Sequence, residues 1–183
     1  HSPSLHGAQL WIALPAAHRL TEPTFAHHAE LPTFTHDGLH ISVLLGDLLG
    51  HVSPGKIFTP LMGAELFADA ATPATLPLRA DFEYGIQVLT GRLRVDDEVL
   101  EPGTLLYLEA GRDALNLIAD SGCRALLIGG EPLQEPLLMW WNFVARTQAE
   151  LSMACHDWNA GAKYFGEVTG YPGKRLEAPL PPW

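Results

Sequence analysis

LLIGGEPLQEPLLMWWNFVARTQAEL, residues Leu126–Leu151, joins two different sequence patterns. It begins with an apolar run that ends at Gly129-Gly130, and it ends with a polar run of helical spacing. Two Glu-Pro pairs and the dipeptide Trp140-Trp141 lie between the two runs. Such a segment is either a catalytic loop or a packing joint between a strand and a helix. The choice between them depends on whether the rest of the chain offers a set of catalytic or metal-binding residues.

Downstream of the joint, the sequence predicts one helix over residues 147–160. Thr147 can cap it, and Glu150 three residues later completes a capping box. Gly161 is a natural stop. One apolar face follows at helical spacing, formed by Leu151, Ala154, Cys155 and Trp158. The proline-rich residues 162–183 are predicted to run over the surface in extended form.

Upstream of the joint, turn residues separate short apolar runs, a pattern that is typical of a β protein. Its 17 glycines and 15 prolines are spread along the length, and GRLRVDDEVLEPG, residues 91–103, predicts a hairpin that turns at Asp96-Asp97. The close spacing of the apolar runs favours an antiparallel sandwich or barrel from about Ile41 to Gly129. The strand-length runs are AQLWIAL from Ala8, ISVLL from Ile41, AELF from Ala64, YGIQVL from Tyr84, TLLYL from Thr104, LNLI from Leu115 and RALLI from Arg124.

Composition excludes several classes of partner. The formal net charge of -10 argues against binding nucleic acid by direct charge contact and against an anionic membrane surface. No apolar run approaches the ~20 residues of a membrane-spanning helix. Cys123 and Cys155 are the two cysteines, a pattern typical of reduced thiols in a cytoplasmic protein.

Chemically active residue types are present but scattered. Asp37-Gly38 predicts a turn between His36 and His40 and separates them. For every histidine, a surface or hydrogen-bonded role is favoured over metal ligation. Asp81 with Glu83 could form a general acid and base, but solvated charges are favoured. The other candidates weighed in the same way are His18, His27, His28, His51, His156, Asp96, Asp97 and Glu98.

Three ordered segments resemble the pirin family. LHGAQLWIALP, residues 5–15, resembles the segment that links the two halves of pirins. TEPTFAHHAELPTFTHDGLHISVLLGDLLG, residues 21–50, is similar to the run that leads into the second barrel. GGEPLQEP followed by NFVARTQAEL resembles the pirin pattern before the last helix. Three positions depart from that pattern, since Trp141 and Asn142 replace Gly-Pro and Arg146 replaces Asn.

The resemblance implies one half of a bicupin, a protein of two packed barrels. It implies a mainly β fold, a cupin-type β-barrel (double-stranded β-helix or jelly roll) with a C-terminal α-helix. Residues 1–20 would be a linker strand left from a missing N-terminal metal-binding half, residues 21–161 the pirin C-terminal cupin domain, and residues 162–183 the proline-rich tail. Iron would be held in the missing half by three histidines and a glutamate, and His1 is not expected to be a ligand.

The resemblance allows the two cupin motifs to be aligned with this chain. The motif glycines are then present, and the metal-ligand residues are not. If Gly91 ends the first motif, Tyr84 stands at the glutamate position. The histidine positions fall within residues 77–80, which contain no histidine. In the second motif Glu109, Ala114 and Ile118 stand at the proline, histidine and asparagine positions. We therefore expect no catalytic, cofactor-binding or metal-binding residue and no cofactor in this chain. The joint is then expected to be a packing joint, in which Trp140, Trp141 and Phe143 hold the helix against the barrel or the neighbouring domain.

Two functions remain open. The chain could be a non-catalytic structural or protein-interaction module that packs on its own N-terminal cupin half. Alternatively, it could be half of a metal-dependent quercetin 2,3-dioxygenase-like oxidoreductase, an activity that the resemblance implies for the intact parent. A half-bicupin should also expose apolar surface, for which Trp11 is the candidate, and this predicts a homodimer or strand exchange between copies.

Overall fold

The computed structural model describes residues 7–166 and 170–183, which form thirteen strands, one α-helix and one short 3-10 helix. The mainly β fold expected from the sequence is therefore confirmed. The strands are β1 Thr33–His36, β2 Leu39–Leu48, β3 His51–Val52, β4 Leu61–Ala68, β5 Thr72–Pro77, β6 Glu83–Thr90, β7 Leu93–Val95, β8 Glu98–Leu100, β9 Leu105–Leu108, β10 Ala114–Ala119, β11 Cys123–Gly130, β12 Leu138–Trp140 and β13 Phe143–Ala145. The helix α1 spans Gln148–Asn159, and the 3-10 helix spans Lys163–Phe165.

The chain divides into two compact units. The first comprises residues 14–133, and the second comprises the described parts of residues 1–13 and 134–183. Within the residues that the structure describes, no helix is long and apolar enough to cross a membrane. The proposed boundaries after residues 20 and 161 stay a prediction.

Two antiparallel sheets build the first unit. The larger runs in the order β1-β2-β4-β11-β6-β9, with β3 added to β2, and the smaller runs β5-β10-β7-β8. Side chains from both sheets contribute to one buried apolar cluster. The alternation is visible in β6, where Tyr84, Ile86 and Val88 are buried and Gln87 between them is exposed, because successive side chains of a strand point to opposite faces.

Tight turns set the register of this unit. Asp37-Gly38 turns β1 into β2 with positive φ at both residues (47° and 80°), the geometry that favours Asp and Gly. Asp96, also at positive φ, begins the predicted turn between β7 and β8. The edge strand β5 was not predicted. It contains two prolines, which lack a ladder donor and are tolerated at an edge.

Helix α1 begins and ends as the sequence predicts. The Thr147 hydroxyl accepts from the Glu150 backbone N–H at 3.2 Å, and the Glu150 carboxylate accepts from the Arg146 N–H at 2.8 Å. At the other end, Gly161 has a φ of 73° and donates to the Trp158 carbonyl, while Ala162 donates to the Asp157 carbonyl. This pair of bonds is a Schellman stop, which requires the left-handed conformation at Gly161.

One predicted strand is wrong. The run AQLWIAL from Ala8 forms no strand in the described residues. Its β-like composition describes side chains that suit a half-buried surface, but a strand also requires a hydrogen-bonded neighbour. No strand of the described residues pairs with it.

Candidate functional site

The position expected to carry the cupin glutamate is filled by a buried phenol. Tyr84 lies on β6 with 3% of its surface exposed. Its hydroxyl accepts from the Arg79 backbone N–H at 2.8 Å and can donate to the Arg79 carbonyl at 3.2 Å. Burial raises the pKa of Tyr84 above its ordinary value. The oxygen therefore stays protonated at neutral pH and is already engaged by backbone groups.

The ring of Tyr84 occupies the space above a glycine on the neighbouring strand. Tyr84 and Gly129 face each other in the β6–β11 register. A Cβ atom added to Gly129 would overlap the Tyr84 ring and approach the Glu83 carbonyl oxygen to 2.9 Å. Gly129 is thus required for close approach of an aromatic side chain. The sequence marked Gly129 only as the end of a strand.

The segment aligned with the cupin histidines carries a fixed cation instead. The Arg79 guanidinium donates to both carboxylate oxygens of Asp81, at 3.1 and 2.6 Å. It also lies 3.7 Å from the Glu131 carboxylate and 4.1 Å from the centre of the Phe82 ring. The hydrogen bond from Arg79 lowers the pKa of Asp81, so the carboxylate remains ionised and paired with the arginine.

The second motif brings no donor to replace the missing ones. Ala114 begins β10 opposite Pro77 of β5, and its side chain is a methyl group. Ile118 on the same strand is 46% exposed. A metal site needs several nitrogen, oxygen or sulfur donors that converge. These residues do not fit a cupin metal ion.

The histidines are distributed among separate local contacts. The His36 ring lies 3.0 Å from the Thr75 carbonyl, and the His40 ring lies 2.8 Å from the Asp69 carboxylate. His51 stacks on Phe34 with ring centres 4.0 Å apart. Across residues 7–166 and 170–183, no three His, Cys, Asp or Glu side chains are grouped as a metal site. His1 lies outside the described residues.

The acidic candidates are also separated. The Asp96 carboxylate accepts from Arg112 at 2.7 Å, and Asp81 is paired with Arg79. The interaction with Glu83 raises the pKa of the Tyr107 phenol. None of these contacts joins two carboxyl groups into an acid–base pair.

An open surface groove of about 410 Å³ crosses the smaller sheet, and sequence reasoning missed it. Asp37, Arg94 and Asp96 supply its charges. The Asn116 amide oxygen in the groove accepts from the Thr75 hydroxyl at 3.1 Å. These side chains come from β5, β7, β10 and two hairpin turns, so only the pairing of the strands brings them together.

The second unit explains the aromatic residues of the joint. Trp141, Phe143, Trp158 and Phe165 form a cluster in which the ring centres of Trp141 and Trp158 lie 5.6 Å apart and those of Trp158 and Phe165 lie 5.2 Å apart. Rings at such edge-to-face spacing attract one another. The hairpin β12–β13 is therefore packed on helix α1 through aromatic side chains.

Trp141 adopts an unusual backbone conformation within that hairpin. It stands in the two-residue turn between Trp140 and Phe143 with a φ of 51°. A bulky residue rarely adopts a positive φ, whereas glycine does so freely. Trp141 therefore holds a strained backbone conformation at a position where the resemblance implies a glycine, and its ring packs against Phe143 and Trp158.

Comparison with known proteins identifies the family. The pirin C-terminal cupin domain matches residues 64–164. This chain belongs to the pirin family. A Pseudomonas aeruginosa protein named "Putative quercetin 2,3-dioxygenase" is 42% identical over 178 residues, which cover 97% of this chain and 56% of that protein. Human pirin is 27% identical over 177 residues, which cover 92% of this chain and 61% of pirin.

Solved structures agree with this assignment. A crystal structure of quercetin 2,3-dioxygenase from Acinetobacter baumannii matches with a TM-score of 0.90 and 42% identity, over 94% of this chain and 57% of that one. The pirin chain thus spans little more than half the length of these relatives. The expected C-terminal cupin half and its β-barrel fold are confirmed.

Proposed function

We propose that this pirin domain is a non-catalytic cupin, a structural or protein-interaction module that packs on a metal-binding N-terminal cupin half. The observation that carries the proposal is the replacement of the cupin ligand positions by a hydrogen-bonded phenol, an arginine ion pair and an alanine. A metal ion would need free donor atoms at these positions. Tyr84 and Arg79 stand there instead, and both side chains are already hydrogen-bonded within the protein.

A fixed positive charge is itself unfavourable for a metal ion. The Arg79 guanidinium is fully charged at any physiological pH, because Asp81 raises its pKa further. A second cation brought to the same segment would be repelled, and the carboxylates of Asp81 and Glu131 already face Arg79. This domain therefore supplies shape and surface, and we assign no reaction step to it.

The full-length parent provides the direct functional test. We expect oxygen uptake with quercetin, if present, to depend on iron in the N-terminal half alone. Tyr84→Phe removes the only aligned oxygen donor and keeps the ring. This variant of the parent should retain its iron content and its turnover. Loss of iron together with turnover would contradict the proposal and place a ligand in this half.

A second candidate function follows from the relatives' names. Both the Pseudomonas and the Acinetobacter proteins are named as quercetin 2,3-dioxygenases, so this chain could be the half of such an oxidoreductase that shapes its substrate pocket. Oxygen uptake by the parent with quercetin, with and without Fe(II), tests this second candidate. Iron-dependent quercetin consumption supports the oxidoreductase, and its absence supports a purely structural or regulatory pirin.

We also propose self-association through the N-terminal residues of the chain. Trp11 is 51% exposed and Ile12 is 45% exposed, an apolar pair that favours a partner. Sedimentation at high concentration should show a homodimer that Trp11→Ala weakens, whereas a clean monomer would contradict the association.

We also propose a cytoplasmic location. Cys123 and Cys155 are free and buried, as expected of reduced thiols.

A further inference from the structure

The second unit binds the chain's own C-terminal segment. We call residues Arg175–Trp183 the tail, and we call the side chains of Trp140, Ser152, Trp158 and Asn159 the tail-binding surface. The tail contains no helix or strand. It is nevertheless held by a repeated type of contact, in which a side chain of the folded unit hydrogen-bonds to the main chain of the tail.

Two indoles and one amide carry these contacts. The Trp158 indole N–H donates to the Leu176 carbonyl at 2.7 Å, and the Trp140 indole N–H donates to the Pro179 carbonyl at 2.7 Å. Between them, the Asn159 amide accepts from the Ala178 N–H at 2.8 Å and donates to the Ala178 carbonyl at 3.0 Å. Asn159 thus pairs with Ala178 as a neighbouring strand would.

Between its two ends, the tail contributes one buried side chain, that of a small residue. Leu176 is 72% exposed and Leu180 is 74% exposed, whereas Ala178 is 4% exposed. At the two ends, Arg175 lies 4.4 Å above the Trp158 ring, and Trp183 packs edge-on against Trp140 and donates its indole N–H to the Ser152 hydroxyl at 3.2 Å. The surface therefore selects an extended backbone with a small residue in the middle and a cation at its N-terminal end.

Proline suits this mode of binding. Pro179 follows the buried alanine, and prolines at 181 and 182 follow it. Such a segment has its backbone stiffened before binding and keeps its carbonyl groups free as acceptors. Aromatic residues that bind carbonyls of proline-rich peptides are a recurring form of peptide recognition.

We propose that the tail-binding surface is a peptide-binding site for extended segments with an arginine, then a small residue followed by proline, and that the tail is a ligand bound in cis. A partner segment of the same pattern would replace the tail. The proposal goes beyond the proposed function, because it holds whether or not the barrel binds metal.

The test weakens the tail without altering the surface. The variant Ala178→Pro, made in the full chain, removes the backbone N–H that donates to the Asn159 amide oxygen. It also adds bulk at the buried position. A labelled peptide with the wild-type sequence of residues 175–183 should then bind at least about tenfold more tightly to this variant than to the wild type, whose own tail competes at an effective concentration on the order of millimolar. Fluorescence anisotropy measures both affinities.

Matched controls locate the binding. Leu180→Pro changes an exposed residue in the same segment and should leave peptide affinity at the wild-type level. Adding Asn159→Ala to Ala178→Pro should weaken peptide binding about tenfold or more, because both amide bonds are lost. A peptide that itself carries Pro at the alanine position should fail to bind.

Equal affinity of the folded Ala178→Pro variant and the wild type would overturn the proposal. So would unchanged affinity after Asn159→Ala. If Ala178→Pro does not fold, the wild-type chain decides the matter. A large excess of unlabelled peptide should shift the amide resonance of Ala178 as the tail is displaced, and an unmoved resonance would overturn the proposal.

Discussion

Each of the two compact units of this pirin domain is stabilised internally by a different kind of contact. In residues 14–133, buried aliphatic side chains from two sheets form one cluster, and their spacing follows the period of two of a β-strand. In the unit that contains α1, aromatic rings and side-chain donors hold a short hairpin, a helix and an irregular tail. The comparison teaches that the first unit is stabilised mainly by apolar burial, and the second by a few directional contacts.

The largest expected effect is in the apolar cluster. Ile86 on β6 is fully buried, and Ile86→Ala should lower the free energy of unfolding by about 2–5 kcal/mol, because it removes apolar contacts and leaves a cavity. Ile118→Ala on β10 changes a half-exposed isoleucine and should cost less than about 1 kcal/mol. Urea unfolding measures both. Equal costs would break the distinction between inward and outward faces.

A smaller effect is expected at the Tyr84–Gly129 contact. Gly129→Ala should destabilise the domain by about 1–3 kcal/mol, since the added methyl group overlaps the ring. Gly63→Ala is the matched control in β4, because a Cβ there meets nothing closer than 3.9 Å. Thermal unfolding of the two variants should separate them clearly. A Gly129→Ala protein as stable as Gly63→Ala would show that the Tyr84 ring is not fixed above Gly129.

In the second unit, single polar contacts should have measurable effects. Thr147→Ala removes the hydroxyl that accepts from Glu150 and should cost about 1 kcal/mol of unfolding free energy. Gln148→Ala, one residue further into the helix, should change stability by less than about 0.5 kcal/mol. Denaturation followed by circular dichroism gives both values. A cost for Gln148→Ala that matches Thr147→Ala would argue against the cap.

The smallest effect is a pH dependence that originates at Tyr84. Its folded pKa is raised by burial above the ordinary value of 10.0, so the unfolded chain loses this proton first. The resulting stability is fully present below about pH 10 and is lost as pH rises through the folded pKa. Relative to Tyr84→Phe, the wild type should therefore lose stability as the pH rises above the ordinary tyrosine pKa of 10.0. Parallel pH curves for the two proteins would contradict a buried, protonated phenol.

The strands of the first unit could be predicted well, because burial in a sheet requires apolar residues at regular spacing in the sequence. The runs from Ile41, Ala64, Tyr84, Leu115 and Arg124 all lie in strands. The cap at Thr147 and the stop at Gly161 were also readable, since both depend on local chemistry. AQLWIAL has the same composition as a strand, but strand formation depends on a partner that composition does not specify.

The second unit was less predictable because its contacts join distant residues with no periodic signal. Tryptophans on the hairpin and helix suggested packing, yet nothing in the sequence indicated that their indole groups donate to the tail. Asn159 likewise looks like an ordinary residue at a helix end. At the candidate site, the aligned positions indicated which ligands to expect as missing. The Tyr84–Arg79 hydrogen bonds depend on the path of the loop between β5 and β6, and the requirement for Gly129 depends on the β6–β11 register.

Iron binding by the isolated chain tests the central claim most directly. The chain is dialysed against chelator, reloaded with Fe(II), passed through gel filtration and analysed for metal. Because Tyr84 is protonated and Arg79 supplies a fixed positive charge, we predict well under one iron per chain, with the same low value for Tyr84→Phe. About one iron per chain retained through filtration, and lost in Tyr84→Phe or in a single histidine variant, would contradict the account.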